Sequence, residues 1–272
     1  MTGESPLNLF GRSAVLFLPA SNPRAIAKAK ESDADLVILD LEDAVRQDDK
    51  LSARSAAVAA VAEEWPMPVA IRVNGPAAEW HDNDVAAVAV SKADLIVVPC
   101  VFSALEIESV RARLGQPVAA MVEKAAAVLD VLAIARISDA LIVGTNDLAA
   151  DLRLPQGAGR GPMTYALQAT LLAGRAAGIA VFDGVFNNLD DEQGFAAEAA
   201  ESRRLGFDGK SLIHPSQIKP CHAAFAPGED EIARAERLVA AATGGAERFE
   251  GQMIESMHVK AARRLLDRMR TG

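Results

Sequence analysis

Hydrophobic and polar positions in this chain alternate in blocks rather than residue by residue. Short apolar runs, each closed by charge, proline or glycine, recur from one end to the other. Eight of them read as strands: SAVLFLP (13–19), DLVILD (35–40), PVAIRVN (68–74), DLIVVPC (94–100), PVAAMVE (117–123), DALIVGT (139–145), IAVFDG (179–184) and GKSLIHP (209–215). Such a run marks a strand covered on both faces, the condition of a parallel sheet. Between the runs, SARSAAVAAVAEEW, MTYALQATLLAGRAAG and EQGFAAEAAESRRLG space their apolar residues as helices do, and the last two end in glycine, a common helix stop. Alternating strand–helix units, eight within about 215 residues, predict an α/β fold of the (β/α)8 TIM barrel type. A doubly wound open sheet would want a glycine-rich phosphate turn after its first strand, and FLPASNPRA is not one. Only the hydrophobic pattern repeats; the sequence itself does not.

The residues that close the strands are the second signal. LVILDLEDAV (36–45) carries three carboxylates, Asp40, Glu42 and Asp43. Arg72 and Asn74 close the third run, Glu123 the fifth, Asn146 and Asp147 the sixth and Asp183 the seventh, while Lys210 and His214 flank the eighth. The C-terminal ends of barrel strands share one rim, where sites of this fold are built, so these side chains are expected to converge there. Carboxylates on separate strands, without His or Cys among them, describe an oxygen-rich site for a hard divalent cation, magnesium rather than zinc. Magnesium that keeps exchangeable waters accepts a bidentate oxyanion such as an α-keto acid and acts as a Lewis acid. Arg72 adds a fixed, forked cation, equally able to pair with the carboxylates of residues 40–43.

Composition narrows the partners. The chain has 272 residues, 50% of them hydrophobic and 24% charged, which suits one globular domain with a sizeable core. A net charge of −9 argues against nucleic acid or an anionic membrane as a partner. Cys100 and Cys221 are the two thiols, too few for a disulfide framework, which suits a reducing, cytoplasmic setting. MTGESPLNLFGRS lacks the charged start of a signal peptide, and the apolar AVLFLPA after it reads as a strand. No run approaches the roughly 18 apolar residues of a membrane span.

Other constellations offer less. No serine sits in a nucleophile elbow, and Cys100 has no histidine beside it in sequence. Lys210 has the residue type for a Schiff base, but SLIHP after it favours a positioning role. QGAGRGP (156–162) has the glycines to wrap a phosphate and also reads as a plain rim loop. His81, in EWHDND, is expected to cap or orient the next helix.

Taken in order, RSAVLFLPASNPRAIAKA, LDLEDAV followed by K and AR, IRVNG, VE, GTNDLAADL, FDGVFNNLDDEQGF, LGFDGKSLIHPSQI and FEGQM resemble the citrate lyase β-subunit-like branch of the HpcH/HpaI aldolase superfamily. The resemblance spans almost the whole chain. It implies a barrel, usually a trimer, that cleaves or forms β-hydroxyacyl-CoA thioesters, of malyl-CoA or citramalyl-CoA type, with acetyl-CoA and an α-keto acid as products. It implies magnesium on the carboxylates matching Glu123 and Asp147, with Arg72 and Glu123 at the substrate. Glu42 and Asp43 then serve catalysis by orienting Arg72 and the metal's waters. Arg24 and Lys28 fall where family members meet CoA. The family's general base is an Asp after GQMV or GRLV; this chain reads GQMIES, which puts Glu255 there, one methylene longer. In PCVFSA, Cys100 and Phe102 replace the Lys and Glu of the family's PKVES, and Lys124 stands where a small hydroxyl residue is common. A barrel domain over 1–243 is expected, followed by a lid or subunit-exchange arm over 244–272 that ends in a basic amphipathic helix. Two alternatives are a class II aldolase on free hydroxy-keto acids and a weakly catalytic subunit that binds α-keto acids or acyl carriers.

Overall fold

Inside seven of the eight strands the apolar side chains divide between two cores, and that division builds the barrel. The computed structural model describes residues 7–271, so the first six residues of the stretch read as lacking a signal peptide lie outside it. The strands are β1 (Ala14–Pro19), β2 (Leu36–Asp40), β3 (Val69–Arg72), β4 (Leu95–Val98), β5 (Val118–Val122), β6 (Ala140–Val143), β7 (Ala180–Asp183) and β8 (Gly209–Leu212). Each lies within one of the apolar runs, pairs in parallel with the next, and β8 closes onto β1. The predicted (β/α)8 barrel is the fold observed.

Val15, Leu36, Ile38, Ala70, Val97, Ala119, Ile142 and Phe182 fill the barrel interior. Their neighbours Leu16, Val37, Leu39, Ile71, Ile96, Ala120, Leu141 and Val181 face outward, into the helix layer. That layer is made of α1 (Pro23–Lys30), α2 (Lys50–Ala60), α3 (His81–Ala89), α4 (Ala104–Arg111), α5 (Ala125–Leu129), α6 (Val131–Arg136), α7 (Thr145–Asp151), α8 (Thr164–Ala177), α9 (Glu192–Leu205) and α10 (Ile218–Phe225). The helix stops read from sequence are present: Gly178 ends α8 at φ 73° and Gly206 ends α9 at φ 108°, left-handed conformations that cost a residue with a Cβ.

Alternation with a period of two decides which strand-end residues enter the barrel. Asp40 follows Leu36 and Ile38 inward and is paired in register with Arg72, which follows Ala70. Glu123 continues the inward series Ala119, Met121. Asp183 and Lys210 have the opposite parity, and both turn toward α9, where Lys210 reaches Glu198 at 2.7 Å and Asp183 accepts from Ser202. The expected convergence of all the strand-end charges is therefore corrected. Asp183 and Lys210 belong to the seam between barrel and helix, and His214 is exposed, bonded to Ser216.

The chain separates into two compact units, one ending at Phe225 and the other beginning at Ala226. The second contains α11 (Glu229–Ala241), an antiparallel hairpin of β9 (Glu247–Phe249) and β10 (Gln252–Ile254), and α12 (Ser256–Thr271). Within this unit α11 packs against α12. Among the described residues no helix is long and apolar enough to cross a membrane.

Candidate active site

Arg72 is 7% exposed and is held by three carboxylates, Asp40 at the end of β2 and Glu42 and Asp43 in the turn after it. Asp40 grips it in bidentate fashion, accepting from Nε and Nη2 at 2.6 Å each. The same carboxylate accepts the backbone N–H groups of Glu42 (2.8 Å) and Ala44 (2.9 Å), so one side chain fixes both the turn and the guanidinium. Nη1 lies 3.0 Å from Glu42 and 3.6 Å from Asp43. The guanidinium carbon also lies 5.3 Å from the centre of the Phe17 ring, a cation–π distance. Burial alone would lower the Arg72 pKa, but Asp40, then Glu42 and Asp43, more than reverse this and fix the charge.

The turn is braced from behind. Buried Lys50 donates to the carbonyls of Leu41 and Glu42 and to Asn74 Oδ1, each at 2.7 Å. Asn74 in turn donates to Asp84 at 2.6 Å, and His81 contacts the Asn74 carbonyl through Nδ1 at 2.8 Å. His81 thus orients the loop after β3 as well as opening α3.

Glu42 differs from its neighbours. Burial pushes its carboxyl up to about 8; Arg72 opposes this, while Asp43, Glu123 and Asp40 add to it. Between the ordinary carboxylate range and about 8 the folded chain holds a proton that the unfolded chain has released, so stability falls as pH rises through that window. Glu42→Gln is expected to flatten this slope. Thermal midpoints measured without magnesium from about pH 5 to about pH 8.5 check it: the wild type declines more steeply than the variant.

Glu123 is 1% exposed at the barrel axis and accepts the backbone N–H of Cys100. That N–H is aimed by a left-handed backbone, φ 52°, unusual for a residue with a side chain. The Cys100 thiol lies 3.6 Å from Glu42, and burial followed by Glu123 and Glu42 pushes its pKa up, so it stays protonated. Cys100 is therefore a strut between two carboxylates. The Glu123 carboxylate occupies space that Gly144 leaves open: a Cβ on Gly144 would sit 2.1 Å from Glu123 Oε2. Gly144→Ala should push that carboxylate out of place. We expect a loss of about 1–3 kcal/mol of stability in urea unfolding, together with weakened divalent-cation binding by calorimetry.

Asp40, Asp43, Arg72, Glu123 and Gly144 line one cavity of about 330 Å³, together with Asp147 and Asn146 from the start of α7. Burial, and then Asp147, raises the Glu123 pKa, while the Cys100 N–H lowers it. Two carboxylates that repel in a buried place suit a cation between them. Among the described residues no group of three or more His, Cys, Asp or Glu forms a metal cage. A hard cation such as magnesium does not require one, since it is commonly held by one or two carboxylates, waters and its substrate. A second cavity, of about 480 Å³, lies under the 156–162 loop. Arg160 of that loop is tied to Asp183 at 2.8 and 3.1 Å and to Glu198 at 3.0 Å, so its charge is neutralised and the loop is anchored. Lys210, fully buried, is likewise committed to Asp183, Glu198 and the Gly184 carbonyl.

A family model described as HpcH/HpaI aldolase/citrate lyase matches residues 13–215. The chain belongs to this family. It is 39% identical over 265 residues to a (3S)-malyl-CoA thioesterase of Cereibacter sphaeroides, with 93% of each chain covered. It is 31% identical to the citrate lyase subunit beta of Escherichia coli K12, over 94% of this chain and 93% of the relative. Among solved structures, CitE of Mycobacterium tuberculosis in complex with magnesium, acetoacetate and coenzyme A superposes with a TM-score of 0.84 at 32% identity, covering 94% of this chain and 98% of that one. CitE from the same organism in complex with magnesium and pyruvate gives 0.78 at 28% identity, over 95% and 100% of the two chains.

Of the residues that the HpcH/HpaI resemblance singled out, Arg72, Asp43, Glu123 and Asp147 line one cavity, with Glu42 against Arg72. Arg24 and Lys28 stand apart from them, exposed one turn apart on α1, and neither has an ion-pair partner among the described residues. Glu255 lies in the second unit, exposed just ahead of α12, where its N–H donates to His258 Nδ1 at 2.9 Å. Lys50, the Cys100 N–H and Gly144 are the parts that sequence reading missed. Gly144 continues the inward parity of Ala140 and Ile142 beyond the end of β6, a parity that the structure supplies.

Proposed function

We propose that the chain is a magnesium-dependent carbon–carbon lyase that cleaves, or forms, a β-hydroxyacyl-CoA thioester of malyl-CoA or citramalyl-CoA type, with acetyl-CoA and an α-keto acid as the products. The observation that carries the reading is the meeting of Glu123, Asp147 and the clamped Arg72 in one cavity. The solved relatives complexed with magnesium, keto acids and coenzyme A support it.

Glu123 and Asp147 are assigned to hold the metal, which when bound supplies a Lewis acid for the oxygens of the hydroxy acid. Arg72, unable to swing away from Asp40, presents a preorganised donor to the oxygen that becomes the carbonyl. Glu42 and Asp43 keep it aimed. Glu255 is assigned the proton transfer on its place in GQMIES alone: it takes the hydroxyl proton, the O–H electrons form the new carbonyl, and the C–C bonding pair passes to the carbon α to the thioester carbonyl. The resulting enolate is then protonated to acetyl-CoA. Arg24 and Lys28 are assigned to the CoA phosphates, a role their free, exposed ammonium and guanidinium suit. The lid role of 244–272 and assembly as a trimer belong to the same proposal.

Thioester dependence tests this reading. The purified chain with magnesium should cleave a β-hydroxyacyl-CoA and ignore the unesterified acid; cleavage of the free acid alone would instead make it a class II aldolase. Glu255→Gln should lose turnover at least about 100-fold while still binding the thioester, as expected when a general base is removed. Unchanged turnover would leave Glu255 without the role. A second reading, hydrolysis of the thioester in the same cavity, is favoured by the name of the Cereibacter relatives.

A further inference from the structure

The alternation that turns Lys210 toward α9 turns its neighbour Ser211 into the barrel. Ser211 is 2% exposed, and its Oγ has no hydrogen-bond partner among the described residues. It lines the same cavity as Arg72 and Glu123, set among the apolar side chains of Phe17, Met121 and Ile213. A buried hydroxyl without a partner is costly, and native structures seldom keep one without a use for it.

Apart from the Thr145 hydroxyl, the other side-chain donors of the cavity are few and already have partners. Arg72 gives most of its five N–H groups to Asp40, Glu42 and Asp43 and keeps little to spare for a ligand, and the amides of Asn146 and Asn187 bond each other at 2.7 and 3.2 Å. The remaining charged groups on the lining are carboxylates, which accept but do not donate when ionised. A small organic acid entering here brings acceptor oxygens and needs donors. We propose that Ser211 is a substrate-binding residue whose hydroxyl donates to an oxygen of a small α-keto or α-hydroxy acid held beside Arg72. The identity of the acid rests on the lyase reading; the vacancy at Oγ does not.

Ser211→Ala tests it, with pyruvate as the probe in the presence of magnesium. Pyruvate affinity by calorimetry should weaken about tenfold, or about 1.4 kcal/mol. The thermal midpoint of the ligand-free variant should equal or exceed that of the wild type, because the alanine leaves no unpaired hydroxyl behind. A variant that binds pyruvate as tightly as the wild type overturns the assignment of Ser211 and leaves the lyase reading standing. A lower midpoint in the ligand-free variant overturns it as well, by showing the hydroxyl to be structural. Should the wild type bind neither pyruvate nor glyoxylate, the reading of the site falls and the role of Ser211 falls with it.

Discussion

Glu123→Gln removes magnesium-dependent turnover and leaves the fold standing. The substitution is isosteric, and the amide oxygen still accepts the Cys100 N–H, so the strut across the barrel mouth survives. Burial already disfavours the charged form of Glu123, with Asp147 adding to the penalty, so a neutral side chain should not lower the metal-free thermal midpoint. What the amide lacks is the negative charge that opposes a divalent cation. Loss of that ligand should cost turnover at least about a thousandfold, or about 4 kcal/mol of transition-state stabilisation. Asp147→Asn should behave alike. Steady-state rates across a magnesium titration, beside thermal melts, check both; full activity in either variant removes that residue from the metal.

Arg72→Ala should lose both stability and turnover, for separable reasons. Asp40 is 1% exposed, and without the guanidinium its charge is left uncompensated beside Glu42. Breaking one partner of a buried pair in this way costs about 3–5 kcal/mol, measurable by urea unfolding. Adding Asp40→Asn removes the stranded charge and should recover part of the stability without recovering turnover. Arg72→Lys keeps a charge but cannot reproduce the two parallel bonds to Asp40, so it too should turn over poorly. Were the alanine variant as stable as the wild type, the guanidinium would not be the keystone of the turn after β2.

The barrel was legible in the sequence because its strands are buried on both faces and so read as uninterrupted apolar runs. That same property hid the facing of their ends. A run such as AVFD carries no alternation to show that Phe182 faces inward and Asp183 outward, and the rim therefore seemed to gather more charge than it does. The acidic cluster at 40–43 was legible as a signpost, and the structure shows it committed to Arg72. Ser211 and Gly144 were not legible as parts of the site, since a small residue signals nothing until the parity of its strand is known. The packing of the second unit was not legible either. Its first helix, α11, looks in sequence like any other amphipathic segment, and only its packing on α12 assigns it.

One measurement bears on the central claim more directly than the others: identification of the products formed from (3S)-malyl-CoA and magnesium by the purified chain. Cleavage of the carbon–carbon bond yields acetyl-CoA and glyoxylate in equal amounts, which is the result expected. Malate and free CoA, with no glyoxylate, would contradict it and show that the cavity hydrolyses the thioester.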